Sequence, residues 1–212
     1  MTKHWKKELV GAVVAVNVLF LSISIACYWP AWWLAVNSDR SPRAWFFSVQ
    51  LASIGFASLL AFYLSRLKKA PRPYWLWAVL GMGFLYLSLD KYFRIHERLR
   101  DQVFRPHEIG THLPGINPGD IVPLVYAALG IAISWAIVRK LGTRQNWLLY
   151  GAVLLAAVAV VLDIGDFLGS PNETLRLLQF IEKLLQTGSQ VLLLSFIVIQ
   201  NCDLLEKVYA QK

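Results

Sequence analysis

Six apolar runs, each about long enough to cross a bilayer, divide this 212-residue chain. A hydrocarbon core about 30 Å thick takes roughly 20 helical residues at 1.5 Å each. The stretches 9–35, 44–67, 74–93, 121–138, 147–168 and 175–200 meet that requirement. Inside a bilayer each span must satisfy its own backbone groups, which leaves helices or a closed barrel. The two-residue alternation of barrel strands is absent from these runs. The expectation is therefore an all-α, polytopic transmembrane helical bundle of six spans, a single domain over residues 1–212 with a structured outer loop at 99–120. Composition agrees: 57% of residues are hydrophobic and only 16% charged, unlike a soluble domain.

Charge orients the bundle. The N-terminus, the second and fourth gaps and the C-terminus together hold twelve of the 21 lysines and arginines but only three of the 13 acids, Glu8, Asp203 and Glu206. Cytoplasmic loops normally carry the basic excess, so both termini are expected in the cytoplasm of a bacterium, with the chain in its inner (plasma) membrane. The net charge of +8 is then a topology signal beside anionic headgroups. It is not a nucleic-acid patch, because the cations are divided among short loops and tails. Trp29, Trp32, Trp33, Trp45, Trp75, Trp77 and Trp147 stand at the ends of runs, as interfacial aromatics do. The basic start and first run read as an uncleaved span, since the run is long for a secretory signal. Cys27 and Cys202 fall near opposite faces, so no disulfide is expected, and neither has metal-site spacing.

The chemically capable residues gather on the other side. The third run leaves through SLDKYFRIHERLRDQ, and at 100° per residue Asp90, Arg94, Glu97 and Asp101 share one stripe of a continuous helix. Glu97 and Asp101 read as solvated groups paired with Arg94. Asp90 lies closer to the apolar stretch, where ionisable groups face a bundle interior or a cavity. The following gap holds His107, Glu108, His112 and Asp120 among several prolines and glycines, and His96 adds a third imidazole. The fifth run ends with Asp163 and Asp166, three apart, near enough to share a cation or a proton or to point into water. Ser170-Pro171-Asn172-Glu173 is a helix start, which makes Glu173 a cap. In the sixth run Gln179, Glu182, Gln186, Ser189 and Gln190 form a polar stripe that has to face a neighbouring helix or a wet cavity.

Asp90, His96, His107, His112, Asp163, Asp166 and Glu182 are thus the candidate metal ligands, and Asp90, Glu97 and Glu182 the candidate catalytic groups. Oxygen and imidazole donors in this mixture suit a divalent cation such as Zn, Mn, Mg or Ca. A metal-bound water near carboxylates hydrolyses esters or amides. The ordinary alternative is that the carboxylates pair on a solvated face and the amides hold helices together.

The segments LSLDKYFRIHERL and LLQFIEKLLQTGSQVLLLSFI resemble an uncharacterised group of bacterial multipass membrane proteins in which LDE followed by HE closes one span and EE opens another. Asp90, His96, Glu97 and Glu182 match that pattern. Lys91 and Lys183 stand where the group carries a second acid. The resemblance implies a multipass fold and names no activity.

Two function classes remain from the residues alone. The first is an inner-membrane protein with an outward-facing acidic and histidine site, binding a divalent metal and acting on a membrane or periplasmic substrate. The second is a non-enzymatic membrane subunit, a sensor, assembly partner or channel-like oligomer, whose polar residues contact copies of itself or a membrane-complex partner. A conduit across the bilayer is disfavoured, because the polar stripe stops short of the cytoplasmic halves of the spans.

Overall fold

The computed structural model describes residues 4–31, 33, 41–67, 74–104, 106, 121–141, 146–165 and 172–210. Among them the chain forms seven α-helices and no strand: α1 (His4–Cys27), α2 (Pro42–Leu67), α3 (Trp75–Phe93), the short α4 (Ile95–Leu99), α5 (Ile121–Leu141), α6 (Asn146–Gly165) and α7 (Asn172–Tyr209). A π-helical turn, Arg100–Phe104, continues α4. Two stretches of the described residues, Trp5–Cys27 and Pro42–Leu67, are long and apolar enough to cross a membrane.

Local chemistry sets several boundaries. α1 stops at Cys27 rather than continuing to residue 35, because Pro30 lacks an N–H and disfavours helical backbone at Trp29. α2 starts cleanly: Ser41 Oγ accepts the Ala44 N–H at 3.2 Å, and Pro42 occupies the first helical position, where its missing N–H costs nothing. α7 begins at Asn172, within the start signal read from the sequence.

Small residues let two antiparallel helix pairs approach closely. In the α2–α3 seam, a Cβ at Gly55 would lie 2.8 Å from Leu85 Cγ and 3.0 Å from the Gly81 carbonyl oxygen, and a Cβ at Gly81 would meet Leu59 and the Gly55 carbonyl at the same distances. One end of this seam is closed by a reciprocal pair: Ser48 Oγ donates to Ser88 O and Ser88 Oγ to Ser48 O, both at 2.8 Å. The α6–α7 pair repeats the principle, with Gly151 under Leu192, Gly188 under Leu155, and Ser189 Oγ donating to Ala152 O at 2.8 Å. The core between the pairs is Ile54, Ala61, Trp77, Leu80, Leu149, Phe196 and Ile197.

α1 rests chiefly on α7 and touches α2 lightly, through the Gln50 amide donating to Asn17 Oδ1. At one end Lys6 Nζ reaches both Asp203 and Glu206 of α7, the latter at 2.9 Å. The outward faces are apolar. Leu19, Phe56, Leu154 and Val161 are each more than 60% exposed, and Trp29, Trp45, Trp75 and Trp147 are exposed at helix ends. α5 packs mainly on α6 and only slightly on α3, which leaves space between them.

Candidate functional site

That space is a cavity of about 350 Å³ bounded by α2, α3, α5, α6 and α7. Along α3 it runs from Leu80 to Lys91, a length of about 16 Å at 1.5 Å per residue. Its walls are mostly aliphatic and small: Leu51, Leu80, Ile131, Ala152, Ala156 and Leu193. Polar groups gather toward one end, where Asp90, Lys91, Tyr126 and Gln186 line it, and Gln190 lies one turn deeper on α7. The polar stripe expected on the sixth run therefore does face a cavity, through Gln186, Ser189 and Gln190.

Asp90 is 4% exposed. Its carboxylate is held from one direction: Oδ1 accepts the backbone N–H of His96 at 2.7 Å and Oδ2 meets His96 Nδ1 at 2.8 Å. This is possible because the helix breaks. Arg94 takes left-handed backbone (φ 54°, ψ 45°) while its N–H still reaches Asp90 O, and the chain restarts as α4. Non-glycine residues enter that region at a cost that tertiary contacts must offset. The continuous Asp90–Arg94–Glu97–Asp101 stripe expected from 100° spacing is thus interrupted. Arg94 pairs with Glu97 at 3.3 Å on the restarted helix, and Asp90 takes His96 instead. Against an ionised Asp90, His96 Nδ1 is the donor, which makes Nε2 the nitrogen with a lone pair for a proton or a ligand.

Glu182, 2% exposed, has a separate set of partners. Lys183 Nζ lies 2.6 Å from Oε1, the Gln186 amide donates to the same oxygen, and the guanidinium of Arg43 is close enough to act on it electrostatically. Arg43 is itself buried and donates to Lys183 O at 2.9 Å, with Phe47 stacked 5.6 Å away. A buried carboxylate so surrounded is a neutralised junction between α2 and α7. Lys183 is the counter-ion of Glu182.

One buried polar side chain on this wall is not satisfied among the described residues. Gln190 is 5% exposed, and neither its Nε2 nor its Oε1 has a hydrogen-bond partner among the described residues. Across the cavity Tyr86 and Tyr126 share a hydroxyl contact of 2.9 Å, and Tyr126 and Ser134 contribute the polar surface of α5. Sequence reasoning singled out neither of these two residues, nor Arg43. A tyrosine or serine in a long apolar run carries no sign of its neighbours, and Arg43 reads as a loop charge.

Of the proposed ligands, the structure brings Asp90 and His96 together and gives Glu182 a different environment. Glu97 faces Arg94, with a side chain 26% exposed. Asp163 falls in the last turn of α6, but its side chain lies outside the described residues, as do His107, His112 and Asp166. Among the described residues no three His, Cys, Asp or Glu side chains converge as a metal site. Neither a curated protein nor a solved structure matches this chain. A family model, domain of unknown function DUF8692, matches residues 8–199, nearly the full length, and the chain belongs to that family.

Proposed function

We propose that this protein is a six-span inner-membrane protein, both termini cytoplasmic, that takes a membrane-borne amphiphile into the cavity and holds its polar part at the outward-facing Asp90–His96 pair. The observation that carries this reading is the cavity itself. It is long and largely aliphatic, and Asp90, Lys91 and Gln186 are gathered at one end. Pockets of this size and lining bind apolar bodies and orient them with a few polar groups.

Several features support the membrane topology. α1, α2, α3, α5, α6 and α7 each have 19 or more residues. The contact of Lys6 with Asp203 and Glu206 puts the first and last helices side by side at one end, which favours an even number of spans. Exposed tryptophans at helix ends and large apolar side chains between them suit a bilayer's two interfaces and its interior.

Native mass spectrometry of the detergent-purified protein tests the binding. Co-purified lipid is expected on the wild type and lost in Gly130→Phe, because Gly130 lines the cavity and a side chain there meets open space. A wild type that carries no lipid and takes none up defeats the reading. Single cysteines at positions 98 and 69 test the topology: an impermeant thiol reagent added to cells should label 98 alone.

A second reading, divalent-metal binding, is favoured by one observation. A carboxylate that orients the Nδ1–H of an imidazole, as Asp90 does for His96, is the usual support of a metal-binding Nε2. Metal analysis before and after chelation decides it. A stoichiometric metal that disappears in Asp90→Ala supports it, and a metal-free wild type ends it.

A further inference from the structure

We infer that the occupant of the cavity enters sideways from the bilayer, between α3 and α5, through a portal barred by the hydroxyl contact of Tyr86 with Tyr126. The inference rests on the cavity-binding reading above and adds the route and the source, a bilayer lipid and not a solute from the aqueous side. The other walls are closed. α2 and α3 meet along the Gly55–Gly81 seam, α6 and α7 along Gly151 and Gly188, and Arg43 of α2 donates to Lys183 O of α7. α5 packs on α6 and only slightly on α3, so the α3–α5 side is the weakest wall.

Two features mark that wall as a passage. Tyr126 lines the cavity, whereas Tyr86 lies outside its lining and is 41% exposed, so their 2.9 Å hydroxyl contact runs from the inner wall to the outer surface. The rings meet edge to face with centroids 5.9 Å apart and bar the gap at that level. Beside the bar is a slot. Gly83 is one turn from Tyr86 and Gly130 one turn from Tyr126, both away from Asp90, whose carboxylate acts electrostatically on the Tyr126 hydroxyl. A Cβ at Gly55 or Gly81 would strike the neighbouring helix, but one at Gly83 or Gly130 meets nothing within 4 Å. Glycines that elsewhere let helices close up here leave an opening.

The bar also discriminates. Closed, each tyrosine hydroxyl satisfies the other; parted in hydrocarbon, both are unmet, which is costly. A polar group passing between them takes over their hydrogen bonds, and an alkane does not. The head then reaches Asp90 and Gln186 at the polar end, and its chain follows through the slot.

The probe is the co-purified lipid that Gly130→Phe lacks. Protein from cells grown on heavy-carbon glucose is reconstituted into vesicles of unlabelled polar lipid from the same cells, and native mass spectrometry of re-extracted samples follows replacement of heavy lipid by light. Tyr86→Phe and Tyr126→Phe should each speed replacement about threefold, the scale of one interhelical hydrogen bond. The double variant should be no faster than either, because both changes remove the same bond. Uptake by delipidated protein should quicken by the same factor, which weakened binding would not produce. In a Cys27→Ser background, Tyr86→Cys with Tyr126→Cys, bridged by a reducible bis-methanethiosulfonate, should stop replacement, and reduction should restore it. If replacement continues through the bridged pair, if the Phe substitutions leave the rate unchanged or add, or if release quickens without uptake, the route is wrong although the cavity reading survives. A wild type that carries no lipid defeats both.

Discussion

Helix α3 has two polar neighbourhoods, and they are built on opposite principles. Toward α2, glycines bring the backbones together and the two polar side chains that meet, Ser48 and Ser88, satisfy each other through reciprocal bonds to carbonyls. Toward α5, the helices stand apart. Asp90 is tied back to His96, and Gln190 across the cavity remains unmet within the described chain. Close approach turns polar groups into mutual adhesive. Separation leaves a cavity, bridged between α3 and α5 by the Tyr86–Tyr126 hydroxyl contact at 2.9 Å. A buried serine on α3 is therefore structural.

The largest effect that tests this contrast is steric. Gly55→Leu drives a side chain against the Gly81 carbonyl, a backbone atom that cannot swing aside, and should lower stability by about 3 kcal/mol in detergent unfolding. A tolerated leucine there would mean the seam is as loose as the cavity side. Next, Asp90→Ala removes the acceptor for two hydrogen bonds of His96. It should cost about 2 kcal/mol and speed hydrogen exchange at the His96 amide. Unchanged exchange would show that Asp90 does not maintain the break. Gly130→Ala should act with the opposite sign to the seam glycines, since its Cβ meets nothing: a gain of about 0.8 kcal/mol, seen as a higher unfolding midpoint. Ser48→Ala loses one interhelical bond and should cost only about 0.6 kcal/mol.

The smallest effect lies outside both neighbourhoods and serves as a control. The hydrogen bond from Lys6 holds the Glu206 carboxyl below the usual carboxylate range. A group depressed in the folded state contributes stability above its unfolded value and loses it as pH falls through the folded one. Unfolding midpoints should therefore drift down in that acid window, and Glu206→Gln should flatten the drift without touching the seam or the cavity.

Much of the bundle was legible because run length and span chemistry are strong constraints. The starts of α2, α3, α5 and α6 fall within two residues of the apolar runs that foretold them. Asp90 and Glu182 were also legible, because a carboxylate beside apolar residues needs partners wherever the chain puts it. The partners were not. Nothing local announces a left-handed Arg94 without glycine or proline nearby; the break is stabilised by Asp90 and His96 meeting across it, a contact visible only in three dimensions. The cavity was invisible for a different reason. Its walls are residues such as Ala152, Ala156 and Gly130, and small side chains read alike whether a neighbouring helix fills the gap or stands off from it.

The first helix finds its main support in the last one. About 145 residues separate the end of α1 from the start of α7, so on a ribosome elongating at 5 to 20 residues per second the earliest segment waits on the order of 10 s for its partner. During that interval Asn17 has Val13 O within its own helix and Gln50 of α2 to hold it, and Lys6 lacks Asp203 and Glu206. The clasp at Asp203 and Glu206 therefore forms only after α7 has been made, and a chain truncated before it would lack the ion pairs that tie α1 to α7.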